Sequence, residues 1–342
     1  MSQQGLILIT GATGFIGGHL ALELVKSQCR LRLYVRSPER LPSLLKEKCE
    51  IVVGDLTDAV TVHQAVAGVS AIFHCAANVN TWDSDENYFK ANVLGTECLL
   101  AAVIGQGVVL ERFVHVSSMD VYGFPSYSCD ENAELQSCFG YGKSKIASER
   151  LVRSMCGTAK VPYVILRPGN VIGPGSQFID RIGDALQMGV MALIDGGNIH
   201  AGLVGVGNLI EVLRWSASAP AAVNNCFNVR DPESLDWRTF INEFRARIQG
   251  RGLVISMPYR LAMLLGRLMG AVSGRLLPTR EPLWHPLLGN VFGRTCGHDI
   301  ARLQLAKGSI GSITLEQALK QSFDWFLLVR KDPSVITGAL NG

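Results

Sequence analysis

The feature that most constrains the fold is a glycine-rich turn between an apolar run and a helical stretch near the start of the chain. Residues 6–10 read LILIT, residues 10–17 read TGATGFIG, and a helical pattern continues to about residue 27. The first glycine allows a tight turn, the second lets a pyrophosphate approach the backbone, and the third lets helix and strand pack closely. The N–H groups and positive dipole end of the helix then face the phosphates. The predicted dinucleotide contacts in this turn are Gly11, Thr13, Gly14, Phe15, Ile16 and Gly17.

The alternation of apolar runs and helices continues through the first 170 residues. Strands are predicted at 31–35, 51–53, 71–76, 113–118 and 163–168, with helices at 38–47, 58–67, 84–105 and 141–156. Apolar runs without polar alternation are typical of parallel strands that are buried on both faces. Right-handed crossovers make such a sheet doubly wound. The expected fold class is therefore α/β, a Rossmann-like doubly wound parallel sheet with a smaller, mostly helical C-terminal substrate domain.

The pattern changes after residue 168, and this change sets the expected domain division. Residues 202–218 and 226–229 resemble a strand–helix pair and a strand that return to the sheet. Further helices are predicted at 236–249, 259–273, 282–289, 298–305 and 314–330. We expect an NADP-binding domain of residues 1–170 with returning pieces near 201–229. A smaller substrate-binding domain would comprise residues 171–200 and 230–342.

Composition and charge exclude two broad classes of protein. A hydrophobic fraction of 48% with 18% charged residues is incompatible with intrinsic disorder. A net charge of +3 argues against a dedicated nucleic-acid-binding protein, which would be strongly basic. The charge is uneven, since residues 251–307 hold eight basic and two acidic residues, a net +6 that leaves −3 for the remainder. The function of the excess basic charge is therefore expected to lie in the late part of the chain.

The N-terminus and the cysteines indicate a reduced, cytoplasmic protein. The chain enters an apolar strand without a basic segment and long apolar stretch, so no signal peptide is predicted. Nine scattered cysteines lack C-x-x-C spacing, which favours reduced core thiols over disulfides or a zinc site. No cluster of residues has metal-ligand spacing, and no metal is predicted.

The end of the second strand indicates which dinucleotide is bound. An acidic residue there would accept a hydrogen bond from the ribose 2′-hydroxyl of NAD, whereas this chain has Arg36. A guanidinium can pair bidentately with a 2′-phosphate. NADP(H) is therefore the preferred cofactor and NAD(H) the alternative, while a solvated surface arginine is the non-functional interpretation. Asp55, after the third strand, could accept a bond from the adenine amino group or belong to the N-cap region of the next helix.

Three residues form a candidate acid–base set. Tyr141 and Lys145 are four apart on one predicted helix face, and Ser118 ends the fifth strand. Carboxyl ends of strands form the ligand crevice in such sheets. An ammonium beside a phenol is expected to lower the phenol pKa from about 10 toward neutrality. Lys145 could also hold the nicotinamide ribose, and Ser118 could bond to the substrate oxygen.

The motifs TGATGFIG, GDLTD, HCAANV, KANVLGT, VHVSSMDVYG, YGKSK and LRPGNVIGPG together resemble the extended short-chain dehydrogenase/reductase superfamily, in its NAD-dependent epimerase/dehydratase branch. The likeness extends to about residue 230 and is looser beyond it. It implies that Ser118, five before Gly123 of the V-Y-G element, is the catalytic hydroxyl rather than Ser117, with Tyr141 as acid–base and Lys145 as its partner. The further cofactor contacts that the resemblance implies are Ala76, Ala77, Asn92, Pro168 and Gly169. Asp55 and Leu56, after the third strand, are also predicted to contact the cofactor.

The substrate contacts are less defined by the sequence. Asp120 is either a substrate ligand or a loop residue, and the missing acid before it counts against the dehydration chemistry of nucleotide-sugar dehydratases. Asn170 matches the stretch that lines nicotinamide and substrate in the family, and His200 could reach the cleft. The aspartate of the family's V-x-V-x-D element is replaced by Asn208. His74 and His115 lie within strands and are interpreted as core residues.

Residues 258–280 form a late basic and apolar segment with three interpretations. It is an amphipathic helix with solvated arginines, a hydrophobic substrate wall with cations for a phosphate-bearing carrier, or an interfacial helix on anionic lipid. The run is too short, with arginines too central, for a membrane span. Resemblance to 3β-hydroxysteroid dehydrogenases and dihydroflavonol reductases favours the apolar-substrate interpretation.

The leading functional hypothesis is an NADP(H)-dependent oxidoreductase that interconverts a ketone and a secondary alcohol on a fairly apolar substrate. The alternative is a nucleotide-sugar epimerase with tightly bound NAD, and a non-catalytic NADP-sensing scaffold represents a different class. The expected partner is a small molecule, apolar or carrier-linked, and nucleic acid is not expected. Peripheral membrane contact through 258–280 and a homodimer are the remaining expectations.

Overall fold

The computed structural model describes residues 5–233, 235–276, 281–308 and 310–332. The predicted segment 258–280 therefore lies partly outside the described residues, from 277 onward. Across the described ranges, no helix has the length and apolar character that a membrane crossing requires.

Eleven strands are described. They are β1 Leu6–Thr10, β2 Arg30–Val35, β3 Glu50–Val53, β4 Val69–His74, β5 Arg112–Val116, β6 Tyr163–Pro168, β7 Asn170–Ile172, β8 Val190–Ile194, β9 Leu203–Gly205, β10 Asn225–Val229 and β11 Leu253–Met257. Seven of them form one parallel sheet in the order β10-β6-β5-β4-β1-β2-β3. The chain reverses direction across the sheet between β1 and β4, which places a ligand crevice at their carboxyl ends.

Helices cover both faces of this sheet and build the C-terminal part. They are α1 Phe15–Lys26, α2 Ser43–Lys48, α3 Ala59–Val66, α4 Asp85–Phe89, α5 Gly95–Gly105, α6 Gly140–Ala159, α7 Gln177–Met188, α8 Val206–Ser218, α9 Trp237–Arg247, α10 Tyr259–Leu276, α11 Pro286–Gly293, α12 Ala301–Leu305 and α13 Leu315–Lys331. A π-helical turn, Lys90–Leu94, joins α4 to α5, so the long helix predicted over 84–105 contains a bulge.

The central strands are buried because apolar side chains point to both faces. Every residue of β1, β5 and β6 is buried. One face packs on α1 and α8 through a cluster that includes Leu20 and Leu213, and the other packs on α3 and α5 through a cluster that includes Val62 and Leu99. The strand sequences do not alternate polar and apolar residues because helices cover both faces of the sheet. The predicted α/β fold class is confirmed.

A separate aromatic core lies in the C-terminal part. Phe240 and Phe244 of α9 pack on Phe323 and Phe326 of α13, and the Phe244 and Phe323 rings stack with centroids 4.2 Å apart. Trp237 of α9 packs on Phe292 in the same cluster. Burial of large aromatic side chains is a major source of stability in such clusters. The C-terminal part is therefore held by its own packed core.

Three sequence predictions about the secondary structure need correction, and one strand pair was not predicted. The strand expected near 202 does not return to the central sheet, because β9 pairs with β7 in a separate two-stranded sheet. The C-terminal part also contains the parallel pair β8–β11, which the sequence did not predict. The segment 38–47 begins as a short 3-10 turn at Pro38–Arg40 and becomes α-helical only at Ser43. The helix expected at 282–289 is α11, which begins four residues later.

Candidate active site

The glycine turn has the geometry expected of a phosphate loop. Gly11 has a φ of +77°, and a Cβ there would lie 2.7 Å from the backbone nitrogen of Ala76. A Cβ on Gly17 would overlap the carbonyl oxygen of Gly11, so this glycine packs the helix on the turn itself. Gly14 is exposed at the N-cap of α1, and no side chain caps that helix. The helix N-terminus is thus open to an anion, and a dinucleotide pyrophosphate fits it.

The loop after β4 lies directly against this turn. Ala76 donates its backbone N–H to the Thr10 hydroxyl at 3.3 Å, and Ala77 follows it, half-buried. Small side chains keep the loop close to the glycine turn, as the Cβ overlap at Gly11 indicates. The structure therefore brings Ala76 and Ala77 beside the predicted phosphate contacts.

Arg36 lies at the end of β2 with an exposed side chain. Its Nη1 is 3.8 Å from Oδ2 of Asp55, and the arginine side chain is 79% exposed. The guanidinium is thus accessible to an anionic ligand, because an exposed pair at this distance is weak. Asp55 accepts hydrogen bonds from the backbone and hydroxyl of Thr57, which lower its pKa. The N-cap of α3 is Asp58, so the N-cap interpretation of Asp55 is wrong.

Leu56 and Asn92 occupy different environments near the sheet edge. Leu56 packs over Gly95, and a Cβ added to Gly95 would lie 3.0 Å from the Cβ of Leu56. Asn92 is buried in the π-helical turn; it accepts a 2.6 Å bond from the Asn78 N–H and donates one of 2.9 Å to the Ser144 hydroxyl. Asn92 therefore ties the loop after β4 to α6, which carries Tyr141.

The two adjacent serines after β5 have different surroundings. Ser117 is buried and donates a 2.6 Å hydrogen bond to Oε1 of Glu149. Ser118 is half-buried, accepts the Asp120 N–H at 3.1 Å and lies near enough to the Tyr141 hydroxyl to lower the pKa of that tyrosine. Only Ser118 therefore faces the acid–base candidate.

Tyr141 and Lys145 lie on α6 in the first turns of the helix. Lys145 is buried, its Nζ donates a 2.8 Å bond to the carbonyl of Val116, and it lies 5.8 Å from the centroid of the Tyr141 ring. Burial lowers the pKa of Lys145 to about 8. Ser118, Tyr141 and Lys145 thus meet at the carboxyl edge of β5.

The pKa of Tyr141 differs from the sequence expectation. Burial raises it above the ordinary value of 10, and the negative charge of Asp120 raises it further, while the bond from Ser118 opposes both. The ammonium of Lys145 donates to a backbone carbonyl rather than to the phenol, and the net shift of the Tyr141 pKa is upward. The phenol is therefore protonated at neutral pH.

A small cavity of about 10 Å³ with mixed polar and apolar walls lies near the acid–base set. It is lined by Met119, Asp120, Phe124, Gly169, Asn170, Thr295, Cys296 and His298. Burial raises the pKa of Asp120 to about 6. Asn170 donates its backbone N–H to Gly202 at 2.9 Å and its side-chain N–H to Ala201 at 2.7 Å. Pro168 is buried at the end of β6, and Gly169 follows it against Gly202.

His200 does not line this cavity. Its Nδ1 accepts the Gly202 N–H at 2.9 Å, its ring contacts the Gly297 backbone position, and burial lowers its pKa to about 4. The residues near His200 that do reach the cavity are Cys296 and His298. Their position in a segment that is distant in sequence explains why no sequence signal identified them.

A larger cleft of about 230 Å³ opens at Tyr141. Its lining is Thr81, Trp82, Asp83, Asp85, Tyr88, Cys138, Phe139, Gly140, Tyr141, His285, Pro286 and Leu287. The aromatic and aliphatic members come from three separate chain segments, so the sequence did not reveal them as one site. The run of aromatic residues around 82–89 in an otherwise polar loop is the signal that could have suggested a binding wall.

A buried ion pair joins β6 to α6 next to the acid–base set. Arg167 on β6 donates two bonds, of 2.8 and 2.6 Å, to the Glu149 carboxylate on α6. It also donates a 2.8 Å bond to the Tyr122 hydroxyl, which donates to Asn228 on β10. Because Glu149 also binds Ser117, this network fixes α6 against β5 and β6.

Two of the histidines serve the core, as the sequence indicates. His74 bonds to Thr10 at 2.8 Å and Thr96 at 2.9 Å, and His115 lies 5.5 Å from it, ring to ring. Throughout the part of the chain that is described, no three His, Cys, Asp or Glu side chains are grouped to hold a metal ion.

The parallel sheet, the glycine turn and the residues gathered at the carboxyl edge define a dinucleotide-binding α/β enzyme of the extended short-chain dehydrogenase/reductase class. Residues 7–217 match the model of the NAD dependent epimerase/dehydratase family. The chain belongs to that family.

Relatives and solved structures agree with this family. The chain is 28% identical to a 2-alkyl-3-oxoalkanoate reductase of Stenotrophomonas maltophilia (strain K279a), over 92% of this chain and 97% of the relative. It is 28% identical to a 3-beta-hydroxysteroid dehydrogenase of Mycolicibacterium neoaurum, over 94% and 91%. The fold is similar to that of MoeE5 in complex with UDP-glucose and NAD, with a TM-score of 0.74, 22% identity, and coverage of 95% and 100%. The predicted likeness to hydroxysteroid dehydrogenases is confirmed.

Proposed function

We propose that the protein is an NADP(H)-dependent oxidoreductase that interconverts a ketone and a secondary alcohol on a fairly apolar substrate. The observation that carries this proposal is the meeting of Ser118, Tyr141 and Lys145 at the sheet edge beside the glycine turn. The names of two relatives, an oxoalkanoate reductase and a hydroxysteroid dehydrogenase, support an apolar ketone or alcohol. When bound, a nicotinamide cofactor supplies or accepts the hydride.

The residues that would hold the cofactor follow from the geometry of the edge. The open N-terminus of α1 at Gly14 would bind the pyrophosphate. Exposed Arg36 would pair with a 2′-phosphate, which makes NADP(H) the proposed cofactor and NAD(H) the alternative. Asp55, Leu56, Ala76 and Ala77 would surround the adenosine side and the turn. Asn92 would act through the loop and helix that it joins.

The acid–base roles follow from the protonation states. The raised pKa keeps Tyr141 protonated, which is the form that donates a proton to the substrate oxygen during reduction. Ser118 would donate its hydroxyl hydrogen to the same oxygen and hold it toward the tyrosine. Lys145 would hold the nicotinamide ribose and supply positive charge near the phenol below about pH 8.

The cleft at Tyr141 favours a compact apolar substrate group. Trp82, Tyr88, Phe139 and Leu287 provide its apolar lining. Such walls with a few convergent polar groups are typical of small-molecule sites. In the separate small cavity, Asp120 and Asn170 would contact a polar group of the substrate. His200 is no longer proposed as a substrate contact, because its ring faces Gly297.

The proposal also assigns cofactor binding and substrate binding to separate parts of the chain, and it places the protein in a cellular compartment. Residues 1–170, with returning pieces near 201–229, would bind the cofactor, and residues 171–200 and 230–342 would form the substrate-binding part. The nine cysteines are free thiols in the structure, which supports a reducing cytoplasmic compartment.

The test is to purify the protein, identify any bound nucleotide, and measure NADPH consumption with apolar ketones and with UDP-sugars. Ser118→Ala is expected to lower ketone turnover by about 10²-fold or more, because the polarising hydroxyl is lost. Ser126→Ala, which changes an exposed serine outside the cleft, is the matched control. Unchanged turnover in Ser118→Ala would overturn the proposal. Retained NAD with interconversion of UDP-sugars and no net use of NADPH would instead support the epimerase.

A further inference from the structure

Helix α10 presents an apolar face to solvent. We define the α10 outer face as the exposed side chains Leu261, Leu264, Leu265, Leu268 and Val272, which are between 37% and 57% exposed. On the opposite side, Ala262 is fully buried and its carbonyl accepts a 2.9 Å bond from the Trp284 indole. A surface helix normally directs its polar residues outward, so this arrangement is inverted. Contiguous exposed apolar side chains of this kind mark an interaction surface.

Positive charge borders the α10 outer face. Arg260 and Arg267 are both exposed and seven residues apart, so they lie side by side along one edge of that face. Within the described residues, neither guanidinium forms an ion pair. The sequence from 251 to 280 contains five arginines and no acidic residue. An occupant of this surface must therefore be apolar at its centre and anionic at its border.

We propose that the α10 outer face rests on the surface of an anionic lipid bilayer. A leucine-rich face bordered by arginines is typical of helices that lie in the plane of the membrane interface. A second copy of the chain would bring the same arginines against each other without a counter-charge. A crossing orientation is disfavoured because none of the helices in the described ranges is suited to span a bilayer.

The inner side of the same helix packs against residues that line the Tyr141 cleft. A Cβ on Gly270 would lie 3.5 Å from the Trp82 ring, and one on Gly266 would lie 3.0 Å from the backbone of His285 and Pro286. Trp82, His285 and Pro286 all line the cleft. A membrane on the α10 outer face would thus lie one helix away from residues that line the cleft. This inference takes one element from the proposed function, the apolar character of the substrate. It adds the membrane as the source of that substrate.

The test is vesicle flotation of the full-length protein. We expect the wild type to float with vesicles of equal parts phosphatidylcholine and phosphatidylglycerol, to remain unbound to pure phosphatidylcholine, and to be released by high salt. The double variant Leu264→Ser/Leu268→Ser should no longer float. Arg260→Gln/Arg267→Gln should lower partitioning by more than about tenfold, since each arginine near an anionic surface contributes roughly a fivefold factor.

Control variants change exposed groups elsewhere on the protein. Val109→Ser/Leu305→Ser replaces side chains that are 90% and 84% exposed, and it should float like the wild type. Lys48→Gln/Arg150→Gln removes two exposed cations from other surfaces and should do the same. Circular dichroism and thermal unfolding of every variant report that each one is folded, independently of its activity.

Three outcomes would overturn the proposal. One is a wild type that ignores anionic vesicles, and another is an outer-face variant that floats as well as the wild type. The third is light scattering that finds a wild-type dimer converted to a monomer by Leu264→Ser/Leu268→Ser, which would assign the face to a second copy. Vesicle binding does not depend on turnover. A protein that binds vesicles but reduces no ketone would contradict the proposed function alone.

Discussion

The ammonium of Lys145 donates a 2.8 Å hydrogen bond to the carbonyl of Val116, the last residue of β5. This bond ties α6 to the strand end from which Ser118 projects, and it fixes the lysine beside the Tyr141 ring. The lysine is held in this position at the cost of burial, which lowers its pKa to about 8. The charge of the site is therefore expected to change within the working pH range.

The first prediction concerns the alkaline limb of the reaction. Because Lys145 is charged below its pKa of about 8 and neutral above it, ketone reduction should decline as pH rises through that value. Lys145→Arg, which stays charged, should move the decline to higher pH even if the rate falls. The measurement is kcat against pH with saturating NADPH. An identical alkaline limb in both proteins would rule out Lys145 as its source.

The second prediction concerns the buried carboxyl of Asp120. Its pKa is raised from 3.8 to about 6, so the native state binds more protons than the unfolded state between those values. The stability contributed by this group is therefore lost as pH rises through about 4 to 6 and stays lost above it. Asp120→Asn should raise the free energy of unfolding by up to about 3 kcal/mol near pH 7.5, and by little near pH 4.

Thermal unfolding at the two pH values measures this difference. Glu47→Gln removes an exposed carboxylate of α2 and should have the same small effect at both values. Equal destabilisation by Asp120→Asn at both pH values would contradict this prediction. It would mean that ionisation of the Asp120 carboxyl does not lower the free energy of unfolding.

The third prediction concerns the ion pair beneath the site. Arg167 and Glu149 are almost fully buried, and removal of one partner leaves an uncompensated charge. Arg167→Met should therefore lower the free energy of unfolding by about 3–5 kcal/mol. Arg153→Gln removes a half-exposed arginine at 3.8 Å from the same carboxylate and should cost less than about 1 kcal/mol. Denaturant titration compares them, and equal losses would contradict the assigned difference.

The central sheet could be predicted from the sequence because strands that are buried on both faces consist of continuous apolar runs. Runs such as LILIT and YVILRP match β1 and β6 residue for residue. Tyr141 and Lys145 were identifiable because helical spacing is also local. In contrast, β8 and β11 pair across some sixty residues of sequence, so neither strand can be recognised from its own segment. The three-residue strand β9 is too short to show which partner it would choose.

The electrostatics of the site could not be predicted for the same reason. The raised pKa of Tyr141 depends first on its own burial and then on the charge of Asp120 next to it, and only the folded chain creates both. The cleft walls are likewise assembled from Trp82, Phe139 and Leu287, which no local pattern connects. His200 looked accessible in sequence, but Gly297 packs against its ring.

The fourth prediction concerns cofactor choice. Arg36 is exposed at the end of β2, and a charge-assisted bond to a 2′-phosphate contributes about 1.5–3 kcal/mol. Arg36→Asp should therefore lower kcat/KM for NADPH by about 10- to 100-fold and favour NADH. Asp55→Asn, which frees the guanidinium from its 3.8 Å partner, should shift preference further toward NADPH.

Steady-state kinetics with both cofactors provide the readout for Arg36. Lys46→Ala, which removes another exposed cation of the same region, is the control and should leave the ratio unchanged. A wild type that uses NADH more efficiently, together with an Arg36→Asp variant of unaltered preference, would assign the arginine to the solvated surface.

The most direct test of the acid–base assignment is the turnover of Tyr141→Phe. Loss of the hydroxyl should lower kcat for ketone reduction by about 10²-fold or more, while the affinity for NADPH, measured by fluorescence titration, stays close to that of the wild type. Tyr127→Phe changes a tyrosine that is 62% exposed and should behave like the wild type in both measurements. Wild-type turnover in Tyr141→Phe, with intact cofactor binding, would contradict the role of Tyr141 as the proton donor.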